Sequence, residues 1–320
     1  MSDKRNLLIQ KKFWPIFWTE FLGACNDNVF KNALAILITY RAHHLLGLTT
    51  EQTVALASGI FILPYFLFSA KAGQLADKFA KHRYIYWVKI WELLAMIIGV
   101  IGFAFDSLTI LLFTLFMMGT QSTSLGPAKY SILPEALKER ELLKGNAYVN
   151  MGTFVAILLG TLLGGLLIAI EPGGKWWVSL TVITIAALGI WSSHYIIRLK
   201  PQAPELKIDW DIVRPTLDIL KMVYKDQRNF IAIIAISWFW GVGVAFLSIL
   251  PPYGKEVLMA QEEFVTLTLA VFSIGIGAGS VLCEKISQGK VELGTVTWGS
   301  LGLTFFGLIL GFIGRPADIP

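Results

Sequence analysis

Charge is scarce in this chain. Only 15% of its 320 residues are Asp, Glu, Lys or Arg, against 55% that are hydrophobic, whereas soluble domains carry roughly 25% charged residues. A water-soluble fold of this composition would have too little polar surface to cover its core. Cysteine is scarcer still. Cys25 and Cys283 both lie in apolar segments, which implies neither a disulfide framework nor a thiolate metal site. Histidine is no richer in chemistry: His43 and His44 stand together in a loop, and five residues after His82 and His194 come Trp87 and Leu199. Neither opens the H-x-x-x-x-D pattern of an acyltransferase. The G-x-x-x-x-G-K-[ST] phosphate loop and the H-E-x-x-H zinc helix are absent, and no secretory signal pattern opens the chain. These absences argue against an enzyme, against a phosphate-loop ATP-driven pump, and against any metal or cofactor. Alternating-polarity runs, the mark of membrane strands, are missing too.

What the chain has is long apolar runs. A helix crossing the hydrocarbon core needs about 20 mostly apolar residues. Nine segments qualify, at about 14–40, 54–70, 84–105, 108–127, 148–170, 176–197, 230–250, 264–283 and 294–314. The mean hydropathy of +0.63 agrees. The expected fold class is all-α, a polytopic bundle lying in a lipid bilayer. The net charge of +5 does not indicate nucleic acid, because the basic residues sit in short loops between the runs. When the loops are numbered alternately, one side holds 21 Lys and Arg and the other holds four, Arg41, Lys175, Lys255 and Arg315. By the positive-inside rule the N-terminus is expected to be cytoplasmic.

The longest connection, about Leu199 to Arg228, follows the sixth span and includes Pro201 and Pro204. Its stretch from Ile208 to Tyr224 is expected to form an amphipathic helix on the cytoplasmic face. Six spans, a linker and further spans suggest a transporter built from two six-helix halves. The expected organisation is 1–198 as one half, 199–229 as linker and 230–320 as three helices of a second half, with the last three absent.

Charged groups within a span are functional suspects by default. Span one carries Glu20, Asp27 and Lys31, which fall within about 40° of one another on a helical wheel. Asp27 and Lys31 have the i, i+4 spacing of an ion pair, and Asn28 and Asn32 lie alongside. Such a stripe suits a polar substrate or a coupling cation, although an ion pair locking span one to its neighbours explains the same residues. Lys89 and Glu92 in span three read more readily as structural, with the lysine snorkelling to the membrane surface. In the run Gln121-Ser-Thr-Ser124 the hydroxyls can bond the preceding turn, which leaves Gln121 as the cavity candidate. Lys129 suits either a phosphate or a positive-inside anchor. Gly152, Gly160, Gly164 and Gly165 in span five, and Gly275, Gly277 and Gly279 in span eight, suit close helix crossings. Trp14, Trp18, Trp176 and Trp177 suit membrane interfaces.

Four segments carry a family resemblance. Gly73-Gln-Leu-Ala-Asp77-Lys-Phe-Ala-Lys81-His-Arg83, between spans two and three, resembles the G-x-L-a-D-r-x-G-r-k loop of the major facilitator superfamily, with Ala80 in place of its second glycine. Asn26-Asp-Asn28 with Phe30-Lys-Asn-Ala33, Gly126-Pro-Ala-Lys-Tyr-Ser-Ile-Leu-Pro-Glu135 and Lys290-Val-Glu-Leu-Gly294 resemble segments of its lysophospholipid transporter branch. That branch includes the transporter portion of fused acyl-carrier-protein synthetase/2-acylglycerophosphoethanolamine acyltransferase proteins. The resemblance implies a multi-pass protein of the bacterial inner membrane that moves lysophospholipid, such as lysophosphatidylethanolamine, by alternating access. It implies that span one lines the central cavity, which makes Asp27, Lys31, Glu20 and Asn28, with Gln121 of span four, the candidates to face substrate or coupling ion. It further implies that Gly73, Asp77, Lys81 and Arg83 hold one conformational state, Gly73 by allowing close helix approach. A fused or separate acyltransferase is the implied partner. A major-facilitator transporter of another small solute or drug, or a membrane module serving an acyltransferase, remains open.

Overall fold

The structure, a computed structural model, describes residues 7–40, 47–253, 262–287 and 294–313. Lys4, Arg5, Arg41, His43, His44, Lys255 and Arg315, and positions 290–293 of the last motif, lie outside the described residues. Among the described residues every regular element is helical. A 3-10 turn at Leu7–Ile9 precedes α1 (Trp14–Tyr40), α2 (Thr50–Lys78), α3 (Lys81–Ala104), α4 (Leu108–Ala136), α5 (Glu139–Ile168) and α6 (Gly174–His194). Then come α7 (Val213–Lys225), α8 (Gln227–Pro252), α9 (Glu262–Ile286) and α10 (Gly294–Ile313). All but α7 coincide with the nine expected spans. Among the described residues, α2 to α6 and α10 are long and apolar enough to cross a membrane.

Several helices run well past the apolar segment that announces them. Helix α2 continues to Lys78, α4 passes through Pro127 and Pro134 to Ala136, and α5 begins at Glu139. Hydropathy measures the lipid-facing length only. A 29-residue helix such as α4 exceeds a 20-residue span by about 13 Å. The extra turns gather at one end, where Lys81 at the start of α3 bonds Glu135 at the end of α4. There Lys12, just before α1, pairs with Glu141 in the first turn of α5 at 2.5 Å.

The chain divides into two compact units, Met1–Leu217 and Asp218–Pro320. In the first, α1 packs between α5 and α6, α3 between α4 and α6, and α2 along α4. The α1–α5 crossing depends on small residues. A Cβ at Gly160 would lie 2.4 Å from the Cys25 carbonyl oxygen, and one at Gly164 2.4 Å from that of Val29. Backbone cannot retreat as a side chain does, so glycine sets how closely these helices approach. Phe30, Leu34, Met96, Phe103, Leu111 and Met118 fill one apolar cluster. Phe13, Ile85, Ile132 and Leu133 fill another, nearer the end that carries Lys81 and Glu135. Outward-facing Phe66, Trp87 and Leu166 are mostly exposed, as a lipid-facing surface requires.

Residues 199–212 fold back as a strap on the ends of α2 and α3. The Leu199 amide donates to His82 Nδ1 at 3.1 Å, and those of Gln202 and Ala203 donate to the Asp77 carbonyl at 3.1 and 2.9 Å. The Asp209 amide donates to Gln74 Oε1 at 2.9 Å, and Lys71 lies over the Trp210 ring. Helix α7 begins at Val213, later than the hydrophobic pattern suggests, because Asp211 Oδ1 accepts the amides of Val213 and Arg214 at 2.7 and 2.9 Å. Those bonds hold the Asp211 carboxyl below the usual carboxylate range. In the second unit α8 packs on α9, and Tyr253 Oη donates to the Leu310 carbonyl at 2.6 Å.

Candidate functional site

On α1, α3 and α4 the two apolar clusters are parted by polar residues, and these converge. Glu92 of α3 is the centre. Its Oε1 accepts from Asn26 Nδ2 of α1 at 2.9 Å, and its Oε2 accepts from Gln121 Nε2 of α4 at 3.0 Å and from the Lys89 ammonium. Lys89 and Glu92 are 0% and 1% exposed. The expected snorkelling of Lys89 therefore does not occur. Its ammonium lies 3.1 Å from where a Cβ of Gly23 would be, and its Cε 2.5 Å from that of Gly189. Glycines on α1 and α6 thus make a slot for the lysine stem, and a carboxylate one turn away is nearer than the membrane surface. A buried ion needs a partner and further hydrogen bonds, and Glu92 has all of these.

The network continues from Gln121 to Asp27. Thr120, Thr123 and Ser124 bond the carbonyls four residues back, as expected of hydroxyls in a helix. Ser122 does not. Its Oγ donates to Asp27 Oδ2 at 2.7 Å and also lies 3.1 Å from Gln121 Oε1. The hydroxyl has one proton for these two acceptors. Asp27 Oδ1 is buried and accepts no hydrogen bond, and neither does Asn26 Oδ1. The amide of Asn26 cannot be reversed to relieve this, because its oxygen would then face the Glu92 carboxylate. The result is a knot of acceptors with too few donors, on the inner face of α1.

Lys31 departs from expectation. No ion pair joins it to Asp27 despite the i, i+4 spacing; its ammonium lies instead 4.4 Å from the centroid of the Phe61 ring of α2. An aromatic face is a weaker partner than a carboxylate. Asp27 and Lys31 are therefore opposite charges side by side on α1, each without a counter-ion in contact among the described residues. Asn28 is turned away from them. Its Nδ2 donates to the Ala24 carbonyl at 2.7 Å, and its Cβ faces Gly160 on α5. Asn32 likewise donates to the Thr161 carbonyl at 2.7 Å. Both asparagines belong to the α1–α5 seam. Glu20 is buried, with Lys129 Nζ at 3.8 Å, and Lys129 also donates to Thr153 Oγ1 of α5 at 2.9 Å.

The loop residues divide in a similar way. Lys81 is almost wholly buried, bonds Glu135 and lies 4.0 Å from Asp77. Arg83 is exposed and stands apart from that cluster. At Gly73 an added Cβ would meet nothing within 4 Å, so no close approach requires glycine there in this conformation. Ala80 adopts φ −58°, an ordinary angle that any residue takes.

Of the five residues expected to meet a substrate, Asp27 and Gln121 share one network and Lys31 lies beside it. Glu20 occupies a separate ion pair, and Asn28 serves packing. Glu92 and Asn26 were missed as site residues. The available signal was an acid and a lysine at i, i+3 within a span, with glycines at 23 and 189 able to admit a long side chain.

Known proteins resemble this chain over most of its length. The lysophospholipid transporter LplT of Escherichia coli O1:K1 / APEC and that of Shigella boydii serotype 4 (strain Sb227) are each 27% identical over 286 residues, 87% of this chain and 67% of theirs. The family description of the Major Facilitator Superfamily matches residues 16–317. With a match of that extent, over a bundle of membrane-spanning helices, the chain belongs to the major facilitator superfamily.

Proposed function

We propose that the protein is a secondary transporter that moves lysophospholipid across the bacterial inner membrane by alternating access. The observation that carries this reading is the pair Asp27 and Lys31, a carboxylate and an ammonium one helical turn apart with no counter-ion in contact with either among the described residues. A zwitterionic phospholipid headgroup has the complementary charges. Its ammonium would meet Asp27 Oδ1, an acceptor lacking a donor, and its phosphate would draw Lys31 from the Phe61 ring. Relatives named as lysophospholipid transporters support the choice of substrate.

The 21-to-4 bias of Lys and Arg supports a cytoplasmic N-terminus. Residues 1–198 and 230–320 are then parts of two halves joined by 199–229. Lys81, Glu135 and Asp77 would help hold one of the alternating states, and an acyltransferase, fused or separate, would consume the delivered lipid. The test is lysophosphatidylethanolamine translocation by the full protein in proteoliposomes. Loss of a charge-assisted hydrogen bond worth about 1.5–3 kcal/mol should weaken apparent affinity at least about tenfold in Asp27→Asn. Transport by that variant with unaltered affinity would remove Asp27 from the mechanism. Failure of lysophospholipid to compete with another transported solute would point to a different substrate.

A further inference from the structure

The strap and α7 serve only as a connection between halves in the reading above, and their surface is unusual. On a helical wheel Val213, Leu217, Leu220 and Tyr224 fall within about 60° of one another. These four are between 47% and 73% exposed. Lys221 and Lys225, both exposed, flank that stripe on one side. A strongly one-sided apolar stripe on a short helix of low overall hydrophobicity, edged with lysine, describes a helix that lies in a membrane interface. The apolar side enters the lipid, and the lysines reach the headgroups.

The strap ties the residues just before this helix to the end of α2. Asp209 is bonded to Gln74 and Trp210 is stacked on Lys71, in the last two turns of the membrane helix α2. Trp210 is itself 71% exposed, and tryptophan favours the headgroup level. At its other end α7 is separated by a single residue, Asp226, from α8, which is apolar over most of its length. The chain before α7 is thus held to a membrane helix, and the chain after it enters α8 directly.

We propose that α7 is a recognition element for anionic lipid in the leaflet on its side of the membrane, with Lys221 and Lys225 contacting lipid phosphates and Leu217, Leu220 and Tyr224 inserted among acyl chains. The commitment to anionic lipid rests on charge complementarity, since the flank of the stripe carries two lysines.

The test uses the full chain with Cys25→Ala and Cys283→Ala, and Leu220→Cys carrying an environment-sensitive fluorophore. It is reconstituted into vesicles of phosphatidylcholine alone or of phosphatidylcholine with phosphatidylglycerol. With phosphatidylglycerol the emission is expected to shift to the blue, the probe to be shielded from an aqueous quencher, and both effects to weaken as salt rises. In the double variant K221Q/K225Q the ratio of inserted to uninserted helix should fall about 30-fold, at roughly 1 kcal/mol for each lysine near an anionic surface. Equal shielding in both kinds of vesicle, or equal shielding with and without the lysines, would overturn the proposal. Shielding that rises with protein density at fixed lipid composition would identify a second copy as the occupant and would overturn it too.

Discussion

The Lys89–Glu92 pair offers a demanding test of how the bundle is held. Both side chains are buried to within 1% of complete exclusion, and Glu92 has donors from α1 and α4 besides its lysine. Lys89→Met keeps a long flexible stem for the slot between Gly23 and Gly189 but strands a carboxylate in the bundle with neutral donors alone. Removing one member of a buried pair costs about 3–5 kcal/mol. Glu92→Gln strands the ammonium and should cost about as much by the same argument. The double variant differs in kind. Its new amide brings two N–H groups where the carboxylate met only donors, and Asn26 can accept one of them by turning its amide, since Asn26 Oδ1 now accepts nothing. Gln121 keeps its bond to the new carbonyl. One N–H remains without an acceptor, so the double variant should lie within about 2 kcal/mol of the unaltered protein, giving a coupling energy of at least about 4 kcal/mol. Equilibrium unfolding in mixed micelles of dodecyl maltoside and dodecyl sulfate, followed by far-ultraviolet circular dichroism, measures each corner of the cycle. If the two single effects simply add, the pair is not coupled and the assignment of Glu92 as the centre of the network is wrong.

Two further expectations concern packing and capping. Gly160→Ala places a methyl group 2.4 Å from a backbone oxygen of α1 and should destabilise the bundle by about 1–3 kcal/mol in the same unfolding assay. Gly73→Ala meets nothing within 4 Å and should be neutral, or stabilising by up to about 1 kcal/mol as alanine favours a helix interior; a similar loss in both variants would contradict the packing described. The charged form of Asp211 caps α7, and its carboxyl is held below the usual carboxylate range by the amides of Arg214 and Val213. A depressed value means that the stabilisation is fully present above the ordinary carboxylate range and is lost only as pH falls through the lowered value. Hydrogen exchange of residues 213–225, corrected for intrinsic rates, should therefore show constant protection from neutral pH down through that range. Protection lost nearer neutrality, or protection unchanged in Asp211→Ala, would show that this cap does not hold the helix.

Much of the architecture was legible in the sequence, for a physical reason. A span must be apolar over a fixed length, so the hydrophobic runs mark α1 to α6 and α8 to α10 without any knowledge of their neighbours. Gly160 and Gly164 could be read as crossing points because the seam needs small residues at one-turn spacing. Helix ends were less legible: Asp211 decides where α7 starts through two hydrogen bonds that hydropathy does not register. Partner choice was the least legible. The wheel places Asp27 and Lys31 on one face and makes them natural partners, yet Ser122 of α4 bonds one and Phe61 of α2 covers the other. Those contacts depend on which helices are neighbours, and lipid-facing surfaces of leucine, isoleucine and phenylalanine say little about that. The same limit hid the centre of the network, since Glu92 gains Asn26 from 66 residues away and Gln121 from 29.

The degree to which each buried charge is satisfied separates structure from function among these residues. Lys89 and Glu92 are compensated and closely packed, so moving either would sacrifice an ion pair and hydrogen bonds at once; they suit a fixed joint among α1, α3 and α4. Glu20 and Lys129 form a looser pair, 3.8 Å apart, in which Lys129 is also secured to Thr153. Asp27 and Lys31 are the exception. Their partners are a shared hydroxyl proton and an aromatic face, and both can be exchanged for better ones when a molecule bearing opposite charges arrives. A transporter needs both kinds of group. Binding can favour one conformation only through contacts that differ between conformations, and groups already satisfied have little left to gain. On the proposed function, the incompletely satisfied pair on α1 is the part of this bundle whose energy a headgroup would change most.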